Sequence, residues 1–279
     1  QKLTHIEHIL KRPDSYVGPV DLNVEPYWVL NSNKSQFEKK NLKYSPALLK
    51  IFDEILVNAV DRNSMHPKHV TSISVAIDKV SGSVTVENNG PIGGVGVRMH
   101  EKEGIWNPEL TFGHLLTSTN YDDSKKRVVG GRNGYGAKLT NIYSSSFSIV
   151  IKDHETKQTY TQKWSNNMTV CEQPKIKKHA GATSSVSITF TPDWKRFGMP
   201  KMDFAIYKIF QKRVWDANIC STPNCKVKFN GDVLPKQNFD AYAKMHEGVG
   251  EVCSFSNDRW SVCIGPSENG LEQVSFVNG

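Results

Sequence analysis

Apolar residues recur at helical spacing between positions 46 and 63. Ser45 is a good N-cap and Pro46 suits the first helical position. The apolar residues that follow at this spacing are Leu48, Leu49, Phe52, Ile55, Leu56, Ala59 and Val60. Because this spacing places them on one face, the pattern predicts an amphipathic helix over 46–63 that His66-Pro67 ends.

Alternation of apolar and polar residues predicts a sheet around this helix. Segments 72–78 and 83–89 alternate, and Val80-Ser81-Gly82 lies in the turn between them. Further strands are predicted at 147–153, 158–164, 184–193 and 226–235, and further helices from near Tyr135 and over 203–219. The first 45 residues are polar and predict loops, as does most of the stretch 90–136.

The character of the chain changes near Lys236. Segments 239–245, 259–267 and 271–279 look like the opening elements of a second unit, and the last of them predicts an apolar strand. The sequence therefore predicts one domain over 1–235 and the beginning of another over 236–279. Because there is no initiator Met, we expect the chain to be a piece of a longer protein.

Composition narrows the class of protein without naming a ligand. The 279 residues are 38% hydrophobic and carry a formal charge of +7, which predicts a soluble globular protein with room for an anionic partner. No stretch approaches the roughly 18 apolar residues that span a bilayer, so we expect no membrane segment. The 5 cysteines contain no CxxC pair, which favours reduced thiols over a zinc site.

One stripe of the helix over 46–63 is polar. Glu54, Asn58 and Asp61 lie at i, i+4 and i+7 and therefore share a face. A solvated surface explains this stripe. So does chemistry: a carboxylate can take a proton from water, one turn before an amide oxygen suited to a hard cation.

Two glycine-rich segments offer a second and a third candidate element. The strand over 83–89 ends in Asn88-Asn89-Gly90 and continues into Gly93, Gly94 and Gly96. A polar side chain at a strand end, followed by glycines, can bind a flat heterocycle, although a bare turn fits equally well.

The third element is the run 128–144, in which glycines 130, 131, 134 and 136 precede a predicted helix and accompany Arg132 and Lys138. Such a loop can cradle phosphates with its backbone N–H groups. It lacks the Gly-Lys-Ser/Thr ending of a Walker loop and the last glycine of a dinucleotide loop. A plain flexible loop is the alternative.

These three elements, in this order, resemble the GHKL family of ATPases. The similarity is closest to the ATPase region of the eukaryotic type II DNA topoisomerases. It rests on the runs HILKRPDSYVG, KIFDEILVNAVD, LLTSTNYDDS, GGRNGYGAKLTNIYS and FVNG. It covers nearly the whole chain, and the run Arg-Asn-Gly-Tyr-Gly-Ala-Lys is its most specific part.

The resemblance implies a role for individual residues. Glu54 would be the general base that activates the attacking water, and Asn58 would hold the Mg²⁺ that bridges the ATP phosphates. Asn88 stands where the family contacts the adenine amino group, and Gly93 and Gly94 share the backbone contact. The other nucleotide-binding residues are Asp61; Ser118, Thr119 and Asn120 on the ribose and phosphates; and Gly131, Arg132, Asn133, Gly134, Tyr135, Gly136, Ala137 and Lys138 around the triphosphate.

Two departures from the family pattern limit this assignment. The segment after Gly90 is about two residues longer than usual and lacks the proline after Ile92, so the glycine that contacts adenine stays open between two candidates. The family also brings a transducer lysine, in a Gln-Thr-Lys motif, to the γ-phosphate, and nothing after Lys236 matches it. We therefore expect an incomplete catalytic set and slow hydrolysis in this chain.

The implied fold is an α/β two-layer sandwich, the GHKL or Bergerat fold, followed by the start of a transducer domain. Its mixed, largely antiparallel sheet is covered by helices on one face. The implied cofactors are ATP and Mg²⁺, and ATP binding would drive homodimerisation into a gate that traps double-stranded DNA, which another region cleaves. The resemblance implies a nuclear protein and leaves an organellar pool open.

The sequence leaves two other functions open. One is a nucleotide-binding clamp or chaperone module that needs no hydrolysis. The other is a DNA-binding domain with incidental glycine loops, which the scattered basic residues disfavour.

Overall fold

The computed structural model describes residues 2–115, 134–257, 259–267 and 270–277. The helices within these ranges are α1 (His5–Lys11), α2 (Pro46–Met65), α3 (Asn107–Gly113), α4 (Gly136–Ile142), α5 (Phe204–Cys220) and α6 (Phe239–Lys244). The strands are β1 (Asn23–Leu30), β2 (Phe37–Tyr44), β3 (Ser72–Asp78), β4 (Ser83–Asn89), β5 (Ser144–Asp153), β6 (Gln158–Ser165), β7 (Val170–Cys171), β8 (Lys175–Lys178), β9 (Ser185–Pro192), β10 (Lys226–Phe229), β11 (Asp232–Val233), β12 (Cys253–Ser256) and β13 (Ser261–Ile264).

A mixed, largely antiparallel sheet organises the fold. Within the described residues it has 9 strands in the order β11-β10-β3-β4-β9-β5-β6-β7, with β8 beside β6. The pairing of β10 with β3 is parallel, and the other pairings described in this sheet are antiparallel. Two antiparallel hairpins, β1-β2 and β12-β13, lie outside it. The predicted α/β sandwich is confirmed.

The long helix α2 forms as its pattern predicts. The Ser45 side chain accepts a hydrogen bond from the Leu48 backbone N–H at 3.3 Å, and Pro46 occupies the first turn. Its apolar face is buried, and the Phe52 ring stacks on that of Phe210 in α5 at 4.1 Å between centroids. Helices α2, α4 and α5 contact the sheet through β4, β5, β9 and β10, so the face of α2 that carries Glu54 is held in place by the core.

The prediction of loops over the first 45 residues was wrong. This region holds α1, β1 and β2. In β1 the exposed residues come first and the buried ones last, and in β2 charged residues stand between two buried ends. Neither strand therefore alternates apolar and polar residues, and cross-strand backbone pairing specifies them instead. A capping box does mark α1, because Thr4 and Glu7 bond reciprocally to each other's backbone N–H groups.

Two other regions also differ from the prediction. The stretch 90–136 contains α3, which begins with Pro108 in its first turn, within a region predicted to be mostly irregular. The described residues of 271–279 form no strand, although an apolar strand was predicted there. Leu271 is 96% exposed, and an apolar run needs a paired edge and a covered face to become a strand. No helix in the described ranges is long and apolar enough to cross a membrane.

Candidate functional site

The carboxylate of Glu54 lies against the first turn of α4. A Cβ built on Gly136 would overlap Glu54 Oε2 and lie 2.8 Å from Glu54 Cδ. One turn away, Thr140 of α4 donates a hydrogen bond from Oγ1 to the Ile51 carbonyl oxygen of α2 at 2.8 Å. Because α2 and α4 are joined there, Glu54 has a fixed position relative to the glycine at the start of α4.

The second oxygen of Glu54 has a cationic neighbour. Lys50 Nζ lies 2.6 Å from Glu54 Oε1, one turn earlier on α2. The Lys50 side chain is 52% exposed, whereas the Glu54 side chain is 22% exposed. An ion pair with a half-exposed lysine adds little to stability, and the lysine side chain moves easily. The carboxylate is therefore the ordered partner, at the edge between the helix layer and solvent.

The polar stripe of α2 divides into an exposed and a buried part. Asn58, one turn after Glu54, is exposed. Asp61, one turn further on, is buried at 9% exposure and has interactions of its own. The stripe is therefore not a uniformly solvated face: an accessible amide stands between a partly covered and a buried carboxylate.

The end of β4 places two asparagines in different roles. Asn88 is buried on the same side of the strand as Val84 and Val86, and its Nδ2 donates to the Asn89 carbonyl oxygen at 3.1 Å. Asn89 instead joins β4 to the start of β3, because its Oδ1 accepts from the backbone N–H groups of Thr71 and Ser72, each at 2.9 Å. Asn88 is thus the amide that faces the helix layer.

The glycines after Asn88 form a tight, irregular turn. Gly90 has a positive φ of 94°, and a Cβ there would lie 2.7 Å from the His69 carbonyl oxygen, so the position requires glycine. Gly93 also has a positive φ, 57°, and its open side is covered by the guanidinium of Arg62. Gly94 is exposed beside it. The choice between Gly93 and Gly94 for a base contact stays a prediction.

The described part of the phosphate-loop candidate begins at Gly134, whose φ is +63°. Tyr135 precedes α4, and no side chain within the described ranges caps that helix. Ala137 is half-buried in the first turn. Lys138 is buried and donates from Nζ to the Gly134 carbonyl oxygen at 2.6 Å, and burial lowers the pKa of its ammonium group to about 8. A buried cation therefore lies against the backbone at Gly134.

Some predicted site residues lie outside the described part of the chain. They are Ser118, Thr119, Asn120, Gly131, Arg132 and Asn133. Among the described residues, the fold brings Glu54 to Gly136 and sets Asn58 one turn beyond Glu54. No cluster of three or more His, Cys, Asp or Glu side chains that could bind a metal occurs in the described ranges.

The sequence patterns missed two residues that shape this region. Arg62 covers Gly93, and its position four residues after Asn58 on α2 is a signal that could have found it. Buried Asp153 at the end of β5 accepts a hydrogen bond from the Val97 N–H at 2.9 Å. It therefore holds the C-terminal end of the glycine-rich segment that follows Asn88. Asp153 and Val97 are 56 positions apart, and no local pattern predicts that contact.

Comparison with known proteins gives a consistent set of relatives. The DNA topoisomerase 2 of Penicillium chrysogenum is 42% identical over 292 residues, which cover 100% of this chain and 18% of that protein. The Drosophila melanogaster protein of the same name is 41% identical over 287 residues, which cover 100% of this chain and 20% of that protein. The chain therefore spans about a fifth of the length of the curated relatives it matches. No family model matches the sequence.

Solved structures agree with these relatives. The ATPase region of Saccharomyces cerevisiae topoisomerase II superimposes with a TM-score of 0.94 at 41% identity, covering 100% of this chain and 74% of that one. The ATPase and transducer domains of DNA topoisomerase II from Balamuthia mandrillaris superimpose with a TM-score of 0.91 at 40% identity. The match covers 100% of this chain and 71% of that one. The fold is that of the GHKL class. The chain belongs to the DNA topoisomerase II family and corresponds to a large part of its ATPase region.

Proposed function

We propose that this chain binds ATP and contributes the general base for its hydrolysis. The observation that carries the proposal is the contact between Glu54 and Gly136, which places a carboxylate at the start of the helix after the glycine-rich loop. In this arrangement Glu54 accepts the proton of the water that attacks the γ-phosphate. The relatives named as ATPase regions support the same function.

The other ends of the nucleotide have candidate partners on the described elements. Asn88 reads the adenine amino group from the buried end of β4, beside the glycines that let the backbone approach the base. Lys138 places positive charge at Gly134, next in sequence to the residues that wrap the triphosphate in this proposal. The loop residues outside the described ranges, including Ser118 and Arg132, complete the ribose and phosphate contacts in this proposal.

Asn58 is our candidate ligand for Mg²⁺. Its amide is exposed one turn after Glu54, and a neutral oxygen suits Mg²⁺ because the phosphates already supply negative charge. Bound there, the ion would neutralise charge on the phosphates. Asn58 then orients the phosphate end of the nucleotide toward Glu54.

For the parent protein, we propose an ATP-operated gate of a type II DNA topoisomerase. ATP binding brings two copies together around double-stranded DNA, and a separate region cleaves the DNA. The segment 236–279 is the beginning of the transducer domain, and 1–235 is the nucleotide-binding domain. The parent acts in the nucleus, with an organellar pool left open. The DNA topoisomerase 2 relatives, which match this chain over its whole length, support these assignments.

Nucleotide binding with and without Mg²⁺ tests the proposal. We expect the chain to bind ATP, and Asn58→Ala to weaken binding of MgATP by on the order of tenfold to a hundredfold while leaving metal-free ATP nearly unchanged. Asn33→Ala, which removes an exposed asparagine between β1 and β2, is the matched control. Equal losses for the two forms would make Asn58 structural, and a chain that binds no ATP would refute the proposed function.

A further inference from the structure

Arg62 lies on α2 four residues after Asn58 and contacts the segment that follows Asn88. Its Nη2 donates a hydrogen bond to the Pro91 carbonyl oxygen at 2.5 Å. A Cβ built on Gly93 would lie 2.7 Å from Nη1 and 2.8 Å from Nη2. The guanidinium therefore packs on the backbone of the Pro91–Gly93 turn, in the space that a side chain at position 93 would fill.

The charge of Arg62 has an unusual environment. Burial lowers the pKa of this half-buried guanidinium, yet an arginine stays protonated at any working pH. Within the described ranges it forms no ion pair with a carboxylate. Its acceptor is the backbone carbonyl oxygen of Pro91, and a charge-assisted hydrogen bond of this kind is stronger than a neutral one. The Arg62 guanidinium therefore binds the Pro91–Gly93 turn.

We propose that Arg62 is a positioning residue for the base end of the nucleotide pocket, where it holds the Pro91–Gly93 turn against the base that Asn88 reads. The inference rests on the proposed function. Gly93 has a positive φ and sits in a short 3₁₀ turn, a backbone that samples many states when it is unsupported. A turn already held in the binding geometry loses less entropy when the ligand binds.

The planar shape of the guanidinium is part of the proposal. One fork both donates to Pro91 and covers Gly93, whereas a lysine ammonium is a point charge that can make the hydrogen bond without the flat contact. Arg62→Lys should therefore retain the charge yet lose most of the positioning effect. Arg62→Ala removes both.

The test is calorimetric titration of the folded chain with ATP, ADP and GTP, each with and without Mg²⁺. We expect Arg62→Ala to weaken the binding of ATP and of ADP by the same factor, on the order of tenfold, since the charge-assisted hydrogen bond to Pro91 and the flat contact on Gly93 are both lost. The factor should not depend on Mg²⁺, because in this proposal Arg62 acts through its contacts with Pro91 and Gly93 and not through the candidate metal ligand Asn58. The preference for ATP over GTP should also narrow, which a merely structural role would not cause.

Arg98→Ala is the matched control, because Arg98 pairs with Glu155 at 3.2 Å on the exposed surface. If Arg62→Ala does not fold, Arg62→Lys carries the same test. Unchanged affinities and base preference, or a loss confined to MgATP, would overturn the inference. A wild-type chain that binds no nucleotide would instead refute the proposed function.

Discussion

At the scale of single residues, the site is marked by polar side chains at positions where the pattern calls for apolar ones. Asn88 continues the buried series Val84 and Val86 on β4, and Lys138 is buried within α4. Burying a polar group lowers stability unless it finds partners. The side chains of Asn88 and Lys138 each donate a hydrogen bond to a backbone carbonyl oxygen. We infer that function, not stability, accounts for their burial.

The role of Glu54 can be tested by removing its basicity alone. Glu54→Gln keeps the shape of the side chain at Gly136 but cannot accept a proton from water. We expect nucleotide affinity to persist and ATP hydrolysis by the full-length protein to fall by roughly two to four decades, the contribution of a general base. Phosphate release and calorimetric binding measure the two effects separately. Glu87→Gln, on the exposed side of β4, is the control, and near-normal turnover in Glu54→Gln would place the base elsewhere.

At the scale of elements, much of the fold could be predicted because local patterns coincide with tertiary burial. The predicted strands over 72–78 and 83–89 are β3 and β4, since one face of each packs on the core. The helix over 203–219 is α5, with Asp203 as its N-cap. The β1-β2 hairpin escaped detection because its buried residues lie at one end of β1 and at the two ends of β2 and do not alternate with exposed ones.

Less of the candidate site than of the fold could be predicted from the sequence. Local spacing identified the stripe of Glu54 and Asn58, because both lie on one helix. The contact between Glu54 and Gly136 joins residues far apart in sequence, and so does the cover that Arg62 provides for Gly93. Such contacts depend on how α2 packs against α4 and the glycine turn. No periodicity within a single segment encodes that packing.

The packing of α2 on α4 leads to a prediction for Gly136→Ala. The new methyl group would overlap Glu54 Oε2, so the carboxylate must turn away from α4. Alanine favours a helix over glycine by about 1 kcal/mol, so global stability should change little. Turnover by the full-length protein should fall by roughly a hundredfold, as for a catalytic group misplaced by about 1 Å.

Gly250→Ala is the control for this variant, because a Cβ at Gly250 meets no atom within 4 Å. Thermal unfolding and ATP turnover should be measured on the same preparations. A Gly136→Ala protein that hydrolyses ATP at the normal rate would show that the position of Glu54 against α4 is not needed for catalysis.

At the scale of the whole molecule, a buried ionic network links α2, α5 and α6. Arg213 of α5 donates to Asp53 of α2 at 2.8 Å and to Asp216 at 3.1 Å. Tyr242 of α6 donates to the same Asp216 carboxylate at 2.6 Å. Removing Arg213 would leave the Asp53 carboxylate without the cation that it pairs with. The first helix after the predicted boundary at 235 is therefore fastened to the helix that carries Glu54.

His246, just after α6, makes this attachment sensitive to pH. It is 6% exposed, and its ring lies 4.9 Å from that of Phe37 and 5.0 Å from that of Trp28. Its Nε2 has no hydrogen-bond partner among the described residues. Burial, with a smaller effect from nearby Lys212, lowers the pKa of His246 from 6.5 to about 4. The folded state therefore holds a neutral imidazole.

The sign of the resulting pH dependence follows from which state binds the proton first. Above pH 6.5, His246 is neutral in both states and the folded state is not penalised. As the pH falls from 6.5 toward 4, the unfolded chain gains a proton that the folded chain does not, so the free energy of unfolding decreases. We expect His246 to account for a loss of about 2 kcal/mol between pH 7 and pH 5, measured by urea unfolding.

His246→Gln removes the titrating group and should reduce the loss of stability between these two pH values. The exposed His5 offers a matched control, His5→Gln, whose pH dependence should follow that of the wild type. Because aspartates and glutamates also titrate near the acidic end, the informative quantity is the difference between variant and wild type at each pH. If His246→Gln loses as much stability as the wild type between pH 7 and pH 5, the buried imidazole does not couple the docking of α6 to pH.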